Sequence, residues 1–307
     1  MFEIVAIIAP LFLIIFGSAF LTRLKIADEH WITVLNNYAL KIGFPALIFA
    51  ALSKTTFHFA EHAGLIIANS VFLLGSFLLA YIIGRLFKLP HKLFRTLFLC
   101  LAFGNVAYLG IPVLVQMWGD AILPTASIIV AVYLFWLFTV GIGYLEFGRK
   151  QKKAATLHLL LLKLLKNPLL LAVILGIIVS AFQVPIPGII QQSISMISAS
   201  VTPIVLIVIG LFLGGAKFGK LSHWYPIIAF SLVTLLVIPS LFYFGLLVFG
   251  FSVADFSHSI VEAAMPLAIT PFALADEYNL DKHFIARSIV LSTVLSIVTL
   301  PFWISLF

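Results

Sequence analysis

The chain has 307 residues, 63% of them hydrophobic and only 9% charged, with a formal charge of +7; soluble domains carry roughly 25% charged residues. One or two soluble cores cannot hide that much apolar side chain, so the composition excludes a soluble globular protein and points to a polytopic membrane protein. The basic surplus gathers in alternate connectors, so it sets topology and is not a nucleic-acid surface.

Apolar runs long enough to cross a bilayer follow one another along the whole chain. Ten are read, at roughly 3–21, 31–51, 63–84, 93–117, 121–147, 167–182, 188–213, 224–249, 257–275 and 284–306. The first, opening MFEIVAIIAP, lacks the basic lead-in of a cleavable signal peptide and is kept as a span. The second carries Lys41 four residues before Pro45. An ammonium at that depth calls for an acidic partner, freed carbonyls, a bound anion or a route for its long stem to water. In or beside the third connector lie Arg85, Lys88, Lys92 and Arg95, and Cys100 follows as the chain's one cysteine, placed for packing and unable to form an internal disulfide.

The fourth span reads GNVAYLGIP from Gly104 to Pro112. Proline removes a backbone donor and clashes with the turn before it, and hydrocarbon offers no water in repair, so broken backbone survives only where protein or a cavity re-satisfies it. Gly104 and Gly110 permit close approach and departure from helix geometry. A helix resuming after the break presents free N–H groups that attract an anion, while carbonyls freed at the break can coordinate a cation. Asn105 both donates and accepts, making it the leading substrate-facing side chain, with a helix-packing hydrogen bond as its plain alternative.

The fifth span ends at Glu146, read as an ordinary end-of-helix charge, and GRKQKKAATLH from Gly148 to His158 divides the spans five and five. Lys163 and Lys166 beside leucines fit a short interfacial helix or a plain topogenic loop. Sixteen of the 18 basic residues fall in the first, third, fifth, seventh and ninth connectors, leaving Lys54 alone opposite and Lys41 within a span. That asymmetry places both termini outside. The sixth and seventh boundaries are the softest, because Pro185 and Pro187 sit in a connector that is itself apolar.

The ninth span, AMPLAITPFALADEYN from Ala264 to Asn279 with its upstream turn, is broken by Pro266 and Pro271. Thr270 can repair a freed backbone group or reach a ligand. Glu262 suits a proton carrier or a cation ligand, or, near the outer end, headgroup water. Asp276, Glu277 and Asp281 read as caps for the inner turn. Pro45 to Pro112 is 67 residues and Pro203 to Pro271 is 68, as an inverted duplication requires. The eight histidines have no zinc spacing, His58 and His62 being the nearest pair, and no nucleotide fingerprint or serine elbow is present. No cofactor and no enzymatic chemistry are therefore expected, and transport energy should come from an ion or substrate gradient.

These motifs resemble the auxin efflux carrier family over essentially the whole chain. Asn105, Gly110, Ile111 and Pro112 match the family's GN and GIP break, and Pro266, Pro271 and the following FALADEYN match its ninth-span signature. The resemblance implies an all-α polytopic protein of ten transmembrane helices in two inverted five-helix repeats, with helices 4 and 9 broken and crossing at Pro112 and Pro271, similar to sodium/proton antiporters and bile-acid symporters. Residues 1–147 would be the first repeat, 148–166 a basic cytoplasmic connector and 167–307 the second repeat. Helices 1, 2, 6 and 7 would form a scaffold, dimeric in relatives, and helices 3–5 and 8–10 a transport domain. The central loop is short here, unlike that of plant members, which points to a compact carrier of the bacterial inner membrane.

The expected function is alternating-access secondary transport of small organic anions, mono- or dicarboxylates such as malonate, in efflux or exchange. The site would be built from Asn105, Gly110, Pro112, Thr270, Pro271, Glu262 and Lys41. Expected partners are the organic anion, a coupling proton or sodium ion, membrane lipid and a second copy of the chain. A sodium-coupled symporter of the bile-acid type is the nearest alternative, and a channel the more distant one.

Overall fold

A computed structural model describes residues 2–54, 59–147, 162, 164–216 and 224–307. Most of the basic central connector, including Arg149, Lys150, Lys152, Lys153 and Lys163, falls outside them, as do Lys217, Lys220 and His58; so does the interfacial-helix reading. The described residues are helical: α1 (Phe2–Arg23), α2 (Glu29–Ser53), α3 (Phe59–Leu86), α4 (His91–Cys100), α5 (Val106–Trp118), α6 (Asp120–Glu146), α7 (Pro168–Ala181), α8 (Gly188–Gly215), α9 (Tyr225–Val248), α10 (Ser257–Ala263), α11 (Thr270–Leu274) and α12 (Lys282–Ile304). Among them there is no strand, only one isolated antiparallel bridge between Gly104 and Leu267.

Seven helices among the described residues are long and apolar enough to cross a membrane: α1, α2, α3, α6, α8, α9 and α12. The fourth and ninth apolar runs are each cut into two shorter helices, and α7 has 14 residues. At 1.5 Å per residue α7 spans about 21 Å, short of the ~30 Å hydrocarbon layer. The fold is that of a multi-span membrane protein turned toward lipid. Leu13, Phe20, Ile67, Val71, Phe244 and Val298 are exposed, whereas Ser18, Asn69, Ser127, Ser231, Ser292 and Ser296 are buried. Polar groups hide inside because lipid cannot bond them.

Local chemistry fixes the helix ends. Asp28 accepts the N–H groups of His30 and Trp31, Asn167 those of Leu169 and Leu170 ahead of Pro168, and Asp281 that of Phe284. Prolines shape the interiors. Five-residue π turns at Ala39–Gly43, Val106–Gly110 and Val233–Val237 each stand immediately before a residue-proline pair, Phe44-Pro45, Ile111-Pro112 and Ile238-Pro239. In each, the residue before proline donates five residues back, Phe44 to Ala39, Ile111 to Val106 and Ile238 to Val233. The ring displaces the carbonyl four residues before it, and the widened turn absorbs the displacement without ending the helix.

The largest helix-helix packings join α1 to α8, α2 to α8 and α2 to α7. Small residues let them approach. Gly210 and Gly214 of α8 lie against the Ile15 and Ala19 carbonyls of α1, and Gly176 of α7 against Leu52 of α2. A second set joins α3 to α6 and α9 to α12.

Candidate functional site at the helix crossing

Between α4 and α5, and again between α10 and α11, the chain leaves the helix and the two extended segments pass antiparallel. The Asn105 N–H donates to the Pro266 carbonyl at 2.7 Å, and the Ala268 N–H to the Phe103 carbonyl at 3.1 Å. Ser292 of α12 accepts the Leu267 N–H at 3.1 Å while its hydroxyl donates to the Ser288 carbonyl at 2.6 Å. Backbone groups that hydrocarbon would leave orphaned are thus paired across the crossing. The Asn105 carbonyl then starts α5, accepting the Leu109 and Gly110 N–H groups at 3.1 and 2.9 Å.

The prolines stand differently from the expectation. The chains meet at Gly104–Leu267 and Asn105–Pro266, whereas Pro112 and Pro271 lie downstream in the resumed helices. Pro271 occupies the first turn of α11, where its missing N–H is an orphan position in any case. Repair at the break comes from the opposing segment and Ser292, while the half-buried Thr270 makes no side-chain hydrogen bond among the described residues.

Asn105 is 3% exposed and makes no side-chain hydrogen bond among the described residues. The helix-packing alternative requires such a bond. Glu262, in the last turn of α10, is fully buried with neither carboxyl oxygen partnered. It does not reach surface water. Its carboxyl lies directly against Gly110 of α5, where a Cβ would stand 2.7 Å from Oε1 and nearer still to Oε2. The Tyr133 hydroxyl, also buried and unpartnered, is near enough for the Glu262 charge to act on it. A buried carboxylate without a donor is costly, so this arrangement is chemically suited to take a proton or a small cation.

Lys41 is not part of this group: it is exposed on the π turn of α2. Among the described residues no set of three or more His, Cys, Asp or Glu side chains could hold a metal ion. Cys100 is buried among apolar neighbours, as expected. Asp281 caps α12 and Asp276 pairs with Lys282 at the surface.

Three polar links were not legible in the sequence. Asn69 of α3 donates to Ser259 of α10 at 2.8 Å, one turn before Glu262. Tyr108 of α5 donates to Asn36 of α2 at 2.5 Å, and Tyr38 shares a 2.7 Å bond with Ser200 of α8. Glu146, read as a surface end-of-helix charge, is 5% exposed and accepts the Tyr278 hydroxyl at 2.9 Å. Burial and that carboxylate raise the Tyr278 pKa above its ordinary value. The only hint was polarity inside apolar runs, as in LIIANSVFLL around Asn69.

Two further cavities are lined by none of the residues paired at the crossing. One of about 480 Å³ lies between α2 and α8 on one side and α5 and α6 on the other, with Lys54, Asp120 and Thr202 in its wall. The other, about 600 Å³ and almost wholly apolar, is a groove between α3 and α9.

A profile of the family described as membrane transport protein matches residues 3–304. Several relatives align along nearly their full length. An uncharacterized transporter of Methanocaldococcus jannaschii is 29% identical over 98% of this chain and 97% of its own. A Rhizobium meliloti protein named "Putative malonate transporter" is 22% identical over 97% and 94%. Auxin efflux carrier component 3 of Arabidopsis thaliana is 27% identical over 47% of this chain and 23% of its own length.

Proposed function

Because the chain belongs to the membrane transport protein family, which includes the auxin efflux carriers, we propose that it is a secondary carrier of small organic anions working by alternating access. Substrate binds at Asn105 where the two broken segments cross, and Glu262 carries the coupling proton or cation. The observation that carries this reading is the pairing at one crossing of an uncommitted Asn105 amide with a buried, unpartnered Glu262 carboxyl. The free N–H groups at the start of α5 supply the positive end of a helix dipole for a carboxylate.

The proposed architecture is ten spans in two inverted five-helix repeats. The helix pairings support it. Exchanging the halves turns the α1–α8 contact (first and seventh spans) into the α2–α7 contact (second and sixth), and α3–α6 into α9–α12. The crossing of the fourth and ninth spans maps onto itself. On this reading α1, α2, α7 and α8 form the scaffold, through which two copies associate, and α3–α6 with α9–α12 move as the transport domain. The protein lies in the cytoplasmic (bacterial inner) membrane with both termini outside, as the basic connectors favour.

Carboxylates are the substrate class favoured by the name of the Rhizobium relative. The test is counterflow: liposomes preloaded with unlabelled malonate and given labelled malonate outside. Saturable uptake, reduced at least about tenfold in Asn105→Ala, supports a carboxylate carrier using the crossing. Malonate, monocarboxylates and aromatic acids all failing with folded, inserted protein would overturn it, and unsaturable flux would mark a channel.

A further inference from the structure

The 480 Å³ cavity has a charge pattern that the crossing does not explain. Its walls come from the ends of α2, α5 and α6 and the middle of α8, so it separates the proposed scaffold from the proposed transport domain. Lys54 stands on the α2 wall and Asp120 at the start of α6. Both are exposed, and neither forms an ion pair among the described residues. Ser195, Ser198 and Thr202 line the α8 wall, with no side-chain hydrogen bond among the described residues.

Lys54 is also the one lysine or arginine in the four connectors on its side of the membrane, where the other formal charges, Glu61, Asp120 and Asp255, are acidic. An anion approaching from that side therefore has a single cationic contact, and that contact is at the mouth of this cavity. A neighbouring pair of these hydroxyls can donate to the carboxylate oxygens. A second carboxylate on the same molecule would meet Asp120 with no second cation to offset it, and like-charge juxtaposition is unfavourable.

We propose that this cavity is an outer vestibular site for singly charged carboxylates, in which Lys54 and the α8 hydroxyls receive the anionic end and Asp120 turns away a second carboxylate. The site rests on the carrier reading for its role in transport and selects ahead of the crossing. It predicts a preference for monocarboxylates over dicarboxylates.

Propionate and malonate make the comparison clean, since both have three carbons and differ by one carboxylate. Counterflow of each labelled acid is measured in wild type, Lys54→Gln and Asp120→Asn at a pH where malonate carries two charges. Wild type is expected to show the lower KM for propionate. Asp120→Asn should lower the malonate KM by about three- to tenfold and move the propionate KM less than about twofold, while Lys54→Gln raises both with maximal rate retained. A malonate-to-propionate ratio unmoved by Asp120→Asn would overturn the vestibular filter and leave the carrier intact. Thermal stabilisation of the purified protein by propionate provides the second readout. Stabilisation lost in Lys54→Gln without any counterflow would sink the carrier reading and keep the site; stabilisation independent of Lys54 would sink the site.

Discussion

Gly110 and Glu262 stand 152 positions apart in sequence, yet the carboxyl of one occupies the space that a side chain on the other would need. The contact joins the resumed half of the fourth apolar run to the first half of the ninth. It is possible because position 110 lacks a Cβ, and it brings an acid to the helix that opens at Asn105.

Gly110→Ala should therefore act through Glu262. The added methyl must displace the carboxyl, and overpacking of this kind typically costs about 1–3 kcal/mol. The expected result is a lowered melting temperature and loss of coupled transport. Gly110→Ala/Glu262→Ala, with the obstructing carboxyl gone, should recover most of the stability. Non-additivity in this cycle checks the contact; fully additive losses would show that the two positions do not meet.

Glu262→Gln keeps the shape of the side chain and removes its charge chemistry. Net uptake driven by a proton or sodium gradient should fall to the level of empty liposomes. Counterflow, which needs no net movement of the coupling ion, should stay within about threefold of wild type. The protein should not lose stability, because a buried carboxyl with no partner contributes none. Gradient-driven uptake surviving in the variant would rule out Glu262 as the coupling group.

The apolar runs and their proline breaks could be read directly, because lipid requires length and hydropathy from every span and leaves irregular backbone few places to occur. The depth of Asn105 in a break was legible for the same reason. Rotation about a helix axis was not. Glu262 and Lys41 both read as acids or bases inside spans, and the fold turns one wholly inward and the other outward. Glu146 sat next to a basic connector and read as an ordinary end-of-helix charge; the Tyr278 hydroxyl that meets it lies 132 residues away. Likewise the meeting of Asn69 with Ser259 depends on how α3 packs against α10, which no local spacing encodes. Pro112 and Pro271 announced the breaks but misplaced the crossing by several residues: Pro271 sits in the first turn of the helix that follows and Pro112 behind the π turn of α5, while Pro266 sits at the crossing itself.

Packing of α1 against α8 gives a prediction with its own internal control. A methyl at Gly210 would stand 2.6 Å from the Ser18 Cβ and closer still to the Ile15 carbonyl oxygen. The obstacle includes backbone, so relief requires the two helices to part along a seam that Gly214 also shares with Thr22 and Ala19. Gly17, on α1 itself, has nothing within 4 Å of such a methyl. Gly210→Ala should destabilise by at least about 1–3 kcal/mol, and Gly17→Ala should be neutral or mildly stabilising, because alanine is the better helix former. Melting curves of the two variants in detergent test this directly. A scaffold assembled through this seam requires the Gly210 variant to lose stability and the Gly17 variant to keep it; equal effects at both positions would mean that α1 and α8 do not approach as closely as described.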